Sequence, residues 1–410
     1  DQAMYQIKLS GGNGYHLFNK EKDQQIINKK QQLNKILDAI NNDEFVLYYQ
    51  PKVNMKTGAA YGVEALVRWI SPENGLISPK DFLPILEGTN EEVLFGQWVI
   101  NNAIKQLVQW QQAGLMIEVS INISSFHLQS ATFVSDLKDI LSNYETLNTN
   151  YIQLEILESS VLGDLNTIKT TLNACRKQFG LNVALDDFGT GYSSLTHIKS
   201  LPANVIKIDQ SFVIDMLNDA NNYSIINGVL GLANSFNRDV IAEGVETTEH
   251  GLMLLMMGCE KAQGYSIARP MPANEFNNWL ITYQPNKDWL TWASKVDNQK
   301  ESKLKVFDIA LRHEYTSLSQ RFLSPFIQAD EPIKQEQNTV CKRWLKRKKQ
   351  SAIFCNAWLT ELEDAYQLMY HKAEELYLQH ANDEINNVVL STEKLKKLFQ
   401  NVINIMSKIN

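Results

Sequence analysis

From residue 25 to about 283, short runs rich in β-branched and aromatic residues alternate with longer runs whose apolar positions recur every three or four residues. The short runs read as strands and the long ones as amphipathic helices, an alternation that predicts parallel strands joined by helical crossovers. The strand candidates are 45–53, 61–69, 118–124, 152–158, 181–187, 204–209, 239–244 and 261–267. Eight strands with intervening helices over roughly 250 residues predict a TIM-type (β/α)8 barrel rather than an open sheet. After Pro285 the pattern changes: glycine disappears, Lys, Glu, Gln and Leu dominate, and apolar residues keep helical spacing. An all-α helical bundle is expected there, with helices over 303–323, 336–354, 356–381 and 391–408. Ser324-Pro325 and Glu331-Pro332 separate the first from the second. Residues 1–24 offer a short helical stretch around Ala3-Met4-Tyr5, a turn at Gly11-Gly12-Asn13-Gly14 and a strand-like Tyr15-His16-Leu17-Phe18, too little to bury a core. Three zones follow: 1–24 a remnant of something preceding, 25–283 the barrel, 284–410 the bundle.

Composition narrows the partners. A chain of 410 residues with 44% hydrophobic content exceeds what one ordinary core needs. A net charge of −7 argues against duplex nucleic acid, which calls for a basic face. The basic run Lys342-Arg343 and Lys346-Arg347-Lys348-Lys349 reads as a solvated helix face. Four scattered cysteines, Cys175, Cys259, Cys341 and Cys355, do not make a secreted disulfide framework, so a cytoplasmic location is expected. No apolar run reaches the ~18 residues of a membrane span, and no signal peptide is evident, so no membrane contact is expected of this chain.

In such a barrel the reacting groups sit at the C-terminal ends of strands, and polar residues recur there. Glu64 lies in the second run, Asn122 ends the third, Glu155 and Glu158 end the fourth and Asp186-Asp187 the fifth. Lys207 and Asp209 end the sixth, Glu243 and Glu246 the seventh, and Gln263 begins the last. A single acidic residue at a strand end is usually a solvated cap. Glu155 resists that reading, because it lies between Leu154 and Ile156 in a strand that looks buried, where an unpaired carboxylate is costly. Two adjacent carboxylates at a strand terminus can serve two cations about 3.5–4 Å apart, and hard oxygen donors favour Mg²⁺ or Mn²⁺ over zinc. The seven histidines form no close pair within the barrel.

Gly62-Val63-Glu64-Ala65-Leu66-Val67-Arg68-Trp69 and Asp186-Asp187-Phe188-Gly189-Thr190-Gly191-Tyr192-Ser193-Ser194-Leu195 resemble the EAL-domain cyclic di-GMP phosphodiesterases. The likeness spans about residues 30–283 and includes Tyr49-Gln50-Pro51, Asn122-Ile123-Ser124, Glu155-Ile156-Leu157-Glu158, Ile206-Lys207-Ile208-Asp209, Glu243-Gly244-Val245-Glu246 and Gln263-Gly264-Tyr265. It implies a (β/α)8-type barrel with one antiparallel strand that opens cyclic di-GMP to linear pGpG in second-messenger signalling. By the same resemblance Glu64, Asn122, Glu155 and Asp186 hold one divalent cation, and Asp187 joins Asp186 at a second. Lys207 contacts the attacking water or a phosphoryl oxygen, and Glu243 is the general base or positions the water. Gln50 and Arg68 grip the substrate, and Glu246 and Gln263 support the site. The segment 188–194 resembles the loop that orders the second metal and a homodimer interface, with Glu158 as its anchor. Two departures, Leu157 where members often have Thr and Gly88-Thr89-Asn90 after Glu87, bear on loop behaviour. The alternatives are a non-catalytic cyclic di-GMP receptor and a regulatory scaffold on the same barrel.

The ends resemble other modules. Ala3-Met4-Tyr5 with Gly12-Asn13-Gly14-Tyr15 and Phe18 resembles the tail of a GGDEF domain. Residues from about 287 to 380 resemble a chemoreceptor zinc-binding bundle, which implies zinc held by His313, Cys341 and His371. Gln367 stands one helical turn before His371, where that family has a further histidine, which puts zinc binding in doubt.

Overall fold

The computed structural model describes residues 20–159, 165–190, 199–295, 299–323, 338–351, 353–381 and 388–409. The GGDEF-like stretch, residues 191–194 of the loop and the two proline breaks after 323 lie outside the described residues.

Ten strands form one sheet: β1 (Phe45–Asn54), β2 (Ala60–Ser71), β3 (Gly75–Ile77), β4 (Glu118–Asn122), β5 (Ile152–Leu157), β6 (Asn182–Phe188), β7 (Val205–Ile208), β8 (Asp239–Ala242), β9 (Lys261–Ala262) and β10 (Met271–Pro272). Eight are barrel staves, and β3 and β10 are short additions at the edges of β2 and β1. The barrel closes because β1 pairs with β2 on one side and with β9 on the other, antiparallel to both. From β2 through β9 every stave pair is parallel. The expected antiparallel member is therefore the first strand. It follows from the short turn between β1 and β2, since parallel neighbours need a longer crossover.

Helices surround the staves: α1 (Lys20–Asn41), α2 (Pro79–Leu86), α3 (Asn90–Gln112), α4 (Ser125–Leu128), α5 (Phe133–Ser142), α6 (Leu165–Phe179), α7 (Gln210–Asp215), α8 (Ala220–Ser235), α9 (Thr248–Met257) and α10 (Ala273–Thr282). The last strand is much shorter than 261–267. The chain turns at Gly264, where a Cβ would lie 2.3 Å from the backbone N and O of Val245. Val245 N–H instead donates to Gln263 O at 3.1 Å, and Ser266 N–H to Val245 O at 3.0 Å.

Beyond residue 286 come α11 (Lys287–Ala293), α12 (Gln299–Leu323), α13 (Val340–Lys349), α14 (Asn356–Ala381) and α15 (Val388–Met406). The helix expected over 336–354 is shorter, starting where the Thr339 hydroxyl caps the Lys342 N–H. The bundle is continuous with the barrel. Ile208, Val213, Met216, Met253 and Leu254 belong to the same buried cluster as Trp289, Phe307, Leu345, Tyr366 and Leu395. Trp289 seals the joint: its indole N–H donates to Thr248 O at 2.9 Å, and its ring rests on Gly251, where a Cβ would meet it at 2.3 Å. A separate core, including Phe45, Phe82, Phe95 and Trp110, lies under α1–α6.

The basic run of α13 is only partly a solvated face: Lys346, Arg347 and Lys349 are exposed, but the run also docks on its neighbours. Arg343 donates to Ala220 O at 2.7 Å, to Ser224 Oγ at 3.1 Å and to Asn221 Oδ1 at 2.8 Å, all on the first turns of α8. Arg347 joins it on Ser224 Oγ at 3.0 Å, while Lys342 and Lys349 pair with Glu363 of α14. The guanidinium fork reaches three acceptors at once, which a solvated lysine face does not need.

Two predictions follow from this packing. Because one core spans the joint, barrel and bundle are expected to unfold in urea with coincident midpoints, and Gly251→Ala should lower that shared midpoint, overpacking costing about 1–3 kcal/mol of stability. Burial holds His127 and His250 down at about 4, so both rings stay neutral in the fold. Their contribution is complete above the unfolded value near 6.5 and is lost as pH falls toward 4, by up to about 3 kcal/mol each. Urea titrations at pH 7 and 4.5 measure the drop, which should shrink in His127→Leu.

Candidate active site

The alternation of β1 aims Gln50 and Lys52 into the lumen, opposite Glu64 and Gly62 of β2. Lys52 is fully buried, and its ammonium donates to Glu118 Oε1 at 2.9 Å, to Gln153 Oε1 at 3.3 Å and to Ser120 Oγ. Strand β1 pairs with neither β4 nor β5, so these bonds cross the lumen and form its polar floor. Ala184, Val205, Ile241 and Tyr61 fill the rest at that level. A Cβ at residue 62 would approach Glu118 O at 2.9 Å and Lys52 Cε at 3.0 Å, so glycine there leaves room for the lysine.

One step along the parallel strands toward their C-terminal ends lies the polar cluster. Lys207 of β7, fully buried, places its ammonium 2.6 Å from Glu155 Oε2, 2.7 Å from Glu243 Oε1, 3.0 Å from Asp186 Oδ1 and 3.4 Å from Glu64 Oε2. Neutral donors hold the far side. Asn122 Nδ2 donates to Glu64 Oε1 at 2.7 Å, and Gln263 Nε2 to Glu64 Oε2 at 2.7 Å and Gln50 Oε1 at 2.9 Å. Gln50 in turn donates to Ala268 O at 3.1 Å, so it lies behind Gln263 as a support.

One ammonium does not balance four carboxylates in a buried space. Burial, then Glu64 and Asp186, push Glu155 up to about 7 against the pull of Lys207. Asp187 also rises to about 7, through burial and then Asp186 and Asp209. Burial raises Asp186 and carries Glu243 well above the usual carboxylate range. Glu64 alone goes down: burial opposes ionisation, but Lys207, Asn122 and Gln263 outweigh it. Burial also opposes the charge on Lys207, yet the four acids raise it well above an ordinary lysine.

This donor set fits divalent cations. Glu64, Glu155 and Asp186 each offer an oxygen within 4.8 Å of the others, and so do Asp186, Asp187 and Glu243. The two groups share Asp186, and Glu155 Oε1 is buried without a hydrogen-bond partner. All-oxygen ligands with excess negative charge suit Mg²⁺ or Mn²⁺. Asn122 lies beside the first group through Glu64.

At the rim, Arg68 is half-buried over the Tyr48 ring at 5.7 Å and donates to Val67 O at 2.7 Å. Glu158 Oε2 accepts the Gly189 N–H at 2.7 Å, tying the end of β5 to the end of β6. Glu246 is exposed on the next loop, outside both carboxylate groups; its N–H donates to His250 Nδ1 at 3.4 Å. The three candidate zinc residues do not converge. His313 Nε2 bonds Asn218 Oδ1 of the barrel at 2.9 Å, Cys341 is buried with its N–H on Glu314 Oε1, and His371 is exposed. Among the described residues they form no group close enough to share an ion. Lys52, Ser120 and Gln153 escaped the sequence reading, although each stands two residues from a site residue on its own strand.

Among curated proteins the chain is similar to the bifunctional diguanylate cyclase/cyclic di-GMP phosphodiesterase MucR of Pseudomonas aeruginosa, 35% identical over 276 residues, 67% of this chain and 40% of that protein. It is 36% identical to the cyclic di-GMP phosphodiesterase PdeR of Escherichia coli over 284 residues, 69% of this chain and 42% of that one. The chain thus spans less than half the length of these relatives. Among solved structures, the PaMucR phosphodiesterase in complex with c-di-GMP matches 60% of this chain and 99% of its own, at 35% identity and a TM-score of 0.57. The EAL enzyme Bd1971, in its cAMP- and cyclic-di-GMP-bound form, matches 62% and 70% at 34% identity and a TM-score of 0.59. Residues 33–270, which carry every strand-end group just described, match the EAL domain, and the chain belongs to that family.

Proposed function

We propose that the chain hydrolyses cyclic di-GMP to linear pGpG with two divalent cations, Mg²⁺ or Mn²⁺. The observation that carries this is the convergence of Glu64, Glu155, Asp186 and Glu243 on the Lys207 ammonium, with Asn122 and Asp187 alongside. The phosphodiesterase PdeR and the c-di-GMP-bound MucR structure support the substrate.

Glu64, Asn122, Glu155 and Asp186 would hold one cation, and Asp186 with Asp187 the other. When bound, such cations ease deprotonation of water and offset the charge that develops on the phosphoryl oxygens. The residues supply the rest. Glu243 accepts the proton of the attacking water, its Oε1 fixed by Lys207 at 2.7 Å. A P–O bond forms to that water as the bond to the ribose 3′ oxygen breaks, and the departing oxygen takes up a proton from solvent water while Glu243 returns its own to solvent. Arg68 offers a planar fork to a non-bridging phosphate oxygen. Gln263 and Gln50 keep Glu64 oriented, and Glu158 fixes the strand end that carries Asp187. The same reading has the chain acting as a homodimer in the cytoplasm.

Chromatography of cyclic di-GMP incubated with the chain and Mg²⁺ or Mn²⁺ should yield pGpG, and chelation should stop it. Glu243→Gln should slow turnover by about 10²- to 10⁴-fold while the dinucleotide still binds. Binding without turnover in the unmodified chain would make it a receptor, and full turnover in Glu243→Gln would remove Glu243 as the base.

A further inference from the structure

Beside the shared apolar core, α12 and α13 make polar bonds to the barrel on one short segment. His313 of α12 bonds Asn218 at 2.9 Å, just before α8, and Arg343 and Arg347 of α13 hold Ala220, Asn221 and Ser224 in its first turns. The shared apolar core leaves a local gap here. A cavity of about 60 Å³ remains there, lined by Ala220, Tyr223, Val306, Val340 and Trp344 beside the two arginines. Polar bonds from the bundle therefore add to the apolar packing of Val213, Met216 and Leu217 in placing the segment.

The other end of the same segment abuts the second carboxylate group. Asp209 caps α7 by accepting the Ser211 N–H at 3.0 Å. Three residues on, the ring of Phe212 lies against Gly189, where a Cβ would stand 2.9 Å from it. Asp187 has φ of 52°, the left-handed region that a non-glycine residue keeps only when its surroundings hold it there. Helix α7 is only six residues long, so a shift at 218–224 has little chain in which to dissipate before it reaches Asp209 and Phe212. The first group differs. Glu64 and Glu155 stand on β2 and β5, strands backed by the separate core under α1–α6.

We propose that the bundle governs the second cation position: His313, Arg343 and Arg347 are positioning residues that, through residues 209–224, keep Asp187 beside Asp186 and Glu243. This rests on the two-cation reading above. A displacement of α12 and α13 is felt at the second cation and not at the first.

The test uses the full chain and Mn²⁺ alone, without substrate. Equilibrium binding and the electron paramagnetic resonance signal of a spin-coupled manganese pair are compared between the unmodified chain and a His313→Ala, Arg343→Ala, Arg347→Ala variant. The second Mn²⁺ should weaken about tenfold and the pair signal fall at fixed Mn²⁺, while the first stays within about twofold. Hydrogen exchange should quicken at 209–224 and at 186–190. Arg343→Gln, a milder change, is read in the same way if the first variant does not fold. Unchanged exchange at 209–224, or faster exchange there with both affinities unaltered, overturns the proposal. If the unmodified chain binds no Mn²⁺, the two-cation reading fails by itself. Exchange at 186–190 in the metal-free proteins then decides the coupling: faster in the variant supports it, unchanged overturns it.

Discussion

The barrel's upper half is organised by a shortage of positive charge. Among the described residues Lys207 is the one ammonium in contact with Glu64, Glu155, Asp186 and Glu243; Glu243 is partly buried and the other four groups are removed from bulk water. Burying charges is tolerable only when they are paired and hydrogen-bonded, and one cation leaves an imbalance. The acids meet it by taking up protons more readily than usual, by neutral donors at Glu64, and by readiness for further cations. Much of the surrounding architecture keeps these groups close: the antiparallel β1 brings Gln50 to Gln263, and the bend at Gly264 lets Gln263 reach Glu64.

Below that cluster, Lys52 repeats the arrangement in balanced form. It meets a single carboxylate, Glu118, and its other partners are neutral Ser120 and Gln153. The lumen thus holds two buried lysines with different chemistry: the lower one is satisfied, whereas the upper one is outnumbered. A floor that cannot take up more charge leaves the strand ends above it as the place where a cation would settle.

The staves were legible because strand periodicity and helix periodicity differ so clearly over 25–283, and because acidic residues inside apolar strands have few innocent explanations. Glu155 between Leu154 and Ile156 is the plainest instance, and the structure leaves one of its oxygens without a partner. What was illegible depends on distance across space. Lys52 is an ordinary lysine in the sequence and becomes a lumen residue only when the barrel closes. Arg343 and Arg347 sit in a run whose local pattern matches any solvated helix, and their docking depends on where α8 lies. His313, Cys341 and His371 carry a motif-like spacing, but the packing of α12, α13 and α14 points them to different surroundings.

The core that runs without interruption from α9 into the bundle sets a boundary of its own. Judged by family resemblance, the chain divides near residue 283; judged by burial, Trp289 on Gly251 and the apolar side chains around Phe307 stitch the two pieces together. A genetic exchange that replaced the bundle with an unrelated module would cut through shared packing and bare an apolar face on α8 and α9. Barrel and bundle are therefore expected to be inherited as one unit, with substitutions on either side of the joint compensating one another over time.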